Sequence, residues 1–143
     1  MKTENEFNAF VTKQIQKLGS SYKAIKASDR FHIGISDWLI YHDGKAIAVE
    51  SKFIKKRPKS GKLLQHVITG PQITFLKTME LAGTRGFVII GMGDLGQIAV
   101  IPTDNIPKEG NYNVKDLNAV RWYFFNEIER MLDFMFSGAQ NDD

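Results

Sequence analysis

The chain has 143 residues, 43% of them hydrophobic, with no cysteine and a formal net charge of +3. That length supports one domain with a single continuous core. The lack of cysteine excludes a disulfide framework, a thiolate zinc site and a cysteine nucleophile, so any metal must be held by oxygen or imidazole. No apolar run is long enough to cross a bilayer, and Met1–Leu18 is too polar for a secretory signal. The expectation is a protein that acts where it is made, in the cytoplasm, or in the host cytoplasm if a phage encodes it.

In chain order, Phe7, Phe10, Val11, Ile15 and Leu18 recur at helical spacing behind Thr3, a good N-cap, and Gly19 supplies the stop signal. Glu6, three residues after Thr3, fits a capping box. Tyr22–Ser28 suits a short strand. Trp38–His42 and Lys45–Lys52 flank Asp43-Gly44, a strong signal for a two-residue hairpin because both central turn positions need positive φ. Gly70-Pro71 opens a second helix, which Gly83 closes. Phe87–Ile90 and Gln97–Ile101 are apolar strands, with Gly91, Gly93 and Gly96 forming a turn between them. A closing aromatic helix is expected over Leu117–Phe136, as core or as a dimer face. The predicted order is helix, three strands, helix, two strands, helix, which implies a mixed α/β sheet covered by helices.

The hairpin count places acids opposite one another. If Asp43 and Gly44 occupy the turn, His42 pairs with Lys45, Leu39 with Ala48, and Asp37 with Glu50. Opposed residues share a face with Cβ atoms about 5 Å apart, and like charges so placed are destabilising. Period-two alternation adds Lys52 to that face and turns Ser51 to the other. Two readings stay open on spacing alone: an exposed hairpin end with a surface Glu-Lys pair, or a site where a divalent cation compensates the acids. Hard oxygen ligands from Asp37, Glu50 and a backbone carbonyl such as that of Ser51 would suit Mg²⁺ or Mn²⁺.

Glu4 lies near the apolar face of the first helix, where it is either a further site acid or a residue favoured by the helix macrodipole. Gln72 shares an inward stripe with Phe75, Leu76 and Met79, facing a polar site or satisfying nearby backbone. Ser51–Met79 contains Lys52, Lys55, Lys56, Arg57, Lys59, Lys62 and Lys77 and no acid. Such a run is either a solvated loop or a phosphate-neutralising one. His32, His42 and His66 form no ligand spacing.

Asp37, Glu50-Ser51-Lys52, a Glu on the first helix and an inward Gln on the second together resemble the PD-(D/E)XK nuclease superfamily. Within it the chain is most similar to Holliday junction resolvase-like and VRR-NUC-type nucleases. The matching residues are Thr3-Glu4, Gly34-Ile35-Ser36-Asp37, Glu50-Ser51-Lys52, Gln72 with Phe75-Leu76, and Gly83. Ser36 stands where the family usually has Pro, and the Phe53–Thr69 loop is longer than in compact members.

The resemblance implies a restriction-endonuclease-like αβββαβ core over about residues 3–102, with a C-terminal helical extension over about 114–136, in one domain. It implies a Mg²⁺-dependent endonuclease, with Mn²⁺ as a substitute, selective for branched DNA and working as a homodimer. Asp37, Glu50 and the Ser51 carbonyl would be metal ligands, Lys52 the catalytic lysine, and Glu4 and Gln72 further site residues. Lys55, Lys56, Arg57, Lys59 and Lys62 would hold the DNA backbone. The competing expectations are a non-catalytic nucleic-acid-binding module on the same fold and a restriction-type duplex endonuclease.

Overall fold

The computed structural model describes residues 1–26, 37–56, 70–106 and 121–138. The chain runs α1 (Glu4–Lys17), β1 (Tyr22–Lys26), β2 (Trp38–His42), β3 (Lys45–Ile54), α2 (Gly70–Leu81), β4 (Arg85–Met92), β5 (Gln97–Pro102), a 3₁₀ turn at Thr103–Asn105, β6 (Arg121–Phe124) and α3 (Ile128–Gly138). The strands form one sheet in the order β1-β2-β3-β4-β5-β6. β3 and β4 run parallel, and every other neighbouring pair is antiparallel. Helix α2 makes the β3-to-β4 crossover, as a parallel pair requires.

Local chemistry sets the element ends. Thr3 Oγ1 accepts the Glu6 amide at 3.1 Å, the capping contact expected of it, while the Glu6 carboxylate accepts from the Lys2 amide at 3.0 Å. Gly19 follows the helix at φ +90°. Asp43 and Gly44 have φ of 53° and 75°, the two left-handed residues of the tight hairpin turn read from the sequence.

Each sheet face carries its own apolar layer. On one, Trp38, Ile40, Ile47, Val49, Phe87, Ile89, Ile98 and Val100 meet Phe7, Val11 and Ile15 of α1 and Met131, Leu132, Met135 and Phe136 of α3. On the other, Ala48, Val88, Ile90, Met92, Ala99 and Ile101 meet Ile73 and Leu76 of α2. Full burial of a Leu, Ile or Phe side chain contributes about 1.5–3 kcal/mol, and the alternation along β3 assigns its residues to one layer or the other.

The C-terminal region differs from the continuous helix expected over Leu117–Phe136. Residues 117–120 lie outside the described residues, Arg121–Phe124 is the sixth strand, and the helix begins at Ile128. Trp122 pairs with Ala99 across the β5–β6 ladder. The break is stabilised locally, because the Phe124 amide donates to Glu127 Oε1 at 2.8 Å and the Phe125 amide to the Gly96 carbonyl at 3.0 Å. The aromatic stripe is largely core: Phe125 packs against the rings of Phe7 and Phe10, and Phe136 is buried.

Candidate active site

The β2–β3 register follows the count from the turn: His42 faces Lys45, Leu39 faces Ala48, and Trp38 faces Val49. Asp37 lies one step beyond the last paired residue, in a bend rather than in the strand. Its Oδ2 accepts the Ser51 amide at 2.8 Å, which carries the hairpin's hydrogen bonding past the end of β2. The carboxylate is thereby fixed beside Glu50.

Glu50 sits mid-strand on the α2 face with 1% of its surface exposed. Its Oε1 accepts from Gln72 Nε2 at 2.8 Å, and Lys52 Nζ lies 3.4 Å from the same oxygen. Gln72 is on the first turn of α2, so the inward stripe does bring its amide to the acid. Among the described residues, no donor reaches the buried Glu50 Oε2 while Asp37 and Glu50 are both ionised. Lys52, 17% exposed, also lies 4.0 Å from Glu4 Oε1, and Glu4 itself is 46% exposed at the start of α1. Lys52 therefore bridges an acid on the strand and an acid on the helix.

The electrostatics follow from this crowding. Burial first and the neighbouring Asp37 charge second push the Glu50 carboxyl up to about 8, with Lys52 offsetting part of the rise. A hydrogen bond with Asp37 acts in the same upward direction. Such a bond between two carboxyls exists only while one of them holds a proton, so ionised Glu50 leaves an oxygen without a donor. Burial also raises Glu4, with Lys52 lowering it and Asp37 raising it. Two acids and a helix-borne third thus share one cation, Lys52, in a partly desolvated setting. Acids held at raised pKa around a lysine are a common mark of a functional site.

Ser51 points away from these groups, as the alternation requires. It is fully buried, and its hydroxyl donates to Asn8 Oδ1 at 2.6 Å. Asn8 escaped the sequence reading, although it falls at i+4 from Glu4 and i−3 from Val11, on the inward stripe of α1. A polar residue on that stripe was the available signal.

Among the described residues, no group of three or more His, Cys, Asp or Glu side chains is arranged to hold a metal. The donor set is instead two carboxylates, Asp37 and Glu50, plus backbone carbonyls of β3. Hard oxygen donors, with one buried Glu50 oxygen that meets no donor among the described residues, fit a hard divalent cation that keeps several waters. Lys55 and Lys56 are exposed just past β3, at the same end of the sheet. Arg57, Lys59 and Lys62, also expected to contact DNA, lie outside the described residues, as do His32 and His66. His42 stacks on Tyr22 with ring centroids 3.9 Å apart, and its Nδ1 lies 2.8 Å from the Ser21 carbonyl, a structural role at the turn.

Two surface hollows lie near the turn end instead. One of about 130 Å³ is lined by His42, Asp43, Lys45, Asp133, Phe136 and Ser137, and one of about 330 Å³ by Lys45, Ala46, Ile47, Gly83, Thr84 and Arg85 among others. Concavity alone would favour them. Neither gathers buried acids around a shared cation, so the chemistry points to the Asp37 end.

No protein-family model and no curated protein sequence matches the chain. Among solved structures, the chain is similar to Hjc, a Holliday junction resolvase from the archaeal hyperthermophile Archaeoglobus fulgidus. The TM-score is 0.60 at 12% identity, over 81% of this chain and 93% of that one. At that identity the likeness speaks to fold: a mixed sheet flanked by helices, with an α/β core like that of the resolvase. The chain therefore shares the fold of that resolvase over most of its length.

Proposed function

We propose that this protein is a divalent-metal-dependent endonuclease that hydrolyses DNA phosphodiesters at branched DNA. The observation that carries the reading is Glu50: a buried carboxylate, one oxygen of which meets no donor among the described residues, set between Asp37, Lys52 and Gln72 on the fold of a nuclease. Burying a carboxylate that is only partly hydrogen-bonded costs stability, and a bound cation would offset that cost. The fold it shares with a Holliday junction resolvase supports branched DNA as the substrate class.

Asp37, Glu50 and the Ser51 carbonyl would hold Mg²⁺ or Mn²⁺, which when bound polarises a phosphoryl oxygen and lowers the pKa of bound water. Asp37 reaches this arrangement because the Ser51 amide holds its other oxygen. Gln72 fixes the orientation of the Glu50 carboxylate from α2. Lys52 orients the attacking water and stabilises negative charge that develops on the phosphoryl group, the usual role of a preorganised cation. Glu4 holds the lysine from the far side. Lys55 and Lys56 would contact the phosphate backbone, contributing affinity and salt dependence rather than base sequence.

Incubating the purified protein with labelled four-way junction, flap, single-stranded and duplex DNA tests the reading. Cleavage of branched DNA is expected in Mg²⁺ or Mn²⁺ and none in EDTA. If every substrate survives in both metals, the nuclease reading fails and a non-catalytic binding module takes its place. Discrete cuts confined to plain duplex would instead favour a restriction-type enzyme.

A further inference from the structure

The roles assigned above leave one buried polar contact beside the site unexplained. Asn8, 8% exposed, and Ser51, fully buried, hydrogen-bond at 2.6 Å between α1 and β3. An apolar pair would join helix and strand without the cost of burying an amide and a hydroxyl, as Val11 and Ile15 do further along the same stripe. Apolar contact is non-directional, however, whereas a hydrogen bond fixes orientation. The depth of α1 is already set elsewhere, because a Cβ on Gly91 would stand 2.6 Å from Phe7 Cε1, so the Phe7 ring rests directly on the β4 backbone. What remains to be set is the rotation of the helix and the plane of the Ser51 peptide.

Both matter to the site. Ser51 lies between Glu50 and Lys52; its amide holds Asp37 at 2.8 Å, and its carbonyl is the proposed metal ligand. Glu4 lies one helical turn before Asn8 and reaches to 4.0 Å from Lys52.

We propose that Asn8 and Ser51 form a positioning clamp that orients the Ser51 peptide for Asp37 and the metal, and registers Glu4 against Lys52. The proposal rests on the nuclease reading of the site. Neither side chain touches the substrate; both act through the groups they hold.

Three variants, Ser51→Ala, Asn8→Leu and the double, test it by Mn²⁺ binding to DNA-free protein in calorimetry, by kcat and KM on a branched substrate, and by circular dichroism as a check of folding. Each single change should weaken Mn²⁺ binding and lower kcat by about tenfold, the loss typical when support behind a metal ligand is removed. KM for DNA should stay near wild type, and the double variant should be no worse than the poorer single one, because both act through one contact. If Asn8→Leu does not fold, Ser51→Ala, which deletes a single oxygen, decides alone. Wild-type Mn²⁺ affinity and kcat in a folded Ser51→Ala would overturn the clamp, as would losses that multiply in the double variant. A wild-type protein that binds Mn²⁺ but cuts nothing overturns the nuclease reading, and the clamp then stands or falls on the Mn²⁺ arm. One that binds no Mn²⁺ overturns the clamp as well.

Discussion

The two ends of the β2–β3 hairpin carry similar charges and treat them differently. At the turn, Asp43 and Lys45 are exposed, and the ordered contacts are apolar and aromatic, with His42 stacked between Tyr22 and the edge of Phe136. At the open end, Glu50 is buried beside Asp37, and Lys52 is drawn between Glu50 and Glu4. One end leaves its charges to water, where an ion pair contributes about 0–1 kcal/mol. The other takes Glu50 out of water, at a cost that Gln72 and Lys52 beside it partly offset. The proposed metal site uses the buried charge, and the turn end carries no counterpart of it among the described residues.

The sharpest break of that comparison is Asp37→Ala. Loss of the carboxylate that the Ser51 amide orients should abolish metal-dependent cleavage, measured as kcat on a branched substrate, while DNA retention in a gel-shift assay stays near wild type. Lys45→Ala, the matching change at the turn end, should leave both intact.

Glu50 gives the comparison a pH dependence. Its folded-state value of about 8 stands above the ordinary 4.5, so in the metal-free protein its contribution to stability is fully present below about pH 4.5 and is lost as the pH rises through about 8. Glu50→Gln removes the ionisation. Thermal melting in EDTA should therefore show the variant gaining on wild type as the pH increases from 5 to 9, with no cleavage at any pH. A gap between the two proteins that is constant with pH would contradict the assignment.

Smaller effects test the scaffold beneath the site. Gly91→Ala forces a Cβ to within 2.6 Å of the Phe7 ring, and overpacking of this kind costs about 1–3 kcal/mol in chemical denaturation. Because Phe7 adjoins Asn8 on α1, activity should fall with stability. Gly44→Ala meets no atom within 4 Å but must adopt φ +75°, which costs about 1–2 kcal/mol. That loss should appear in stability with kcat unchanged, since it falls at the end away from the proposed site.

Much of this was legible in the sequence because the governing rule is short-range. Asp43-Gly44 fixes a two-residue turn, the turn fixes the register, and the register carries Asp37, Glu50 and Lys52 to one place. Gln72 and Glu4 were legible from helical spacing against an apolar stripe. The sixth strand was not. Arg121–Phe124 takes its strand pairing from β5, and its aromatic residues run into the apolar face of α3, so the boundary between them is set by tertiary pairing and by Glu127 capping the Phe124 amide. Asn8 was missed for a different reason. Its role depends on a hydroxyl contributed by Ser51, a residue that alternation alone turns away from the acids.

The most direct test compares cleavage of a labelled four-way junction in Mg²⁺ by wild type, Lys45→Ala and Lys52→Ala. Wild type and Lys45→Ala should cut at similar rates, and Lys52→Ala should bind the junction but leave it whole. Equal cleavage by all three proteins, or by none, would contradict the placement of the chemistry at the open end of the hairpin.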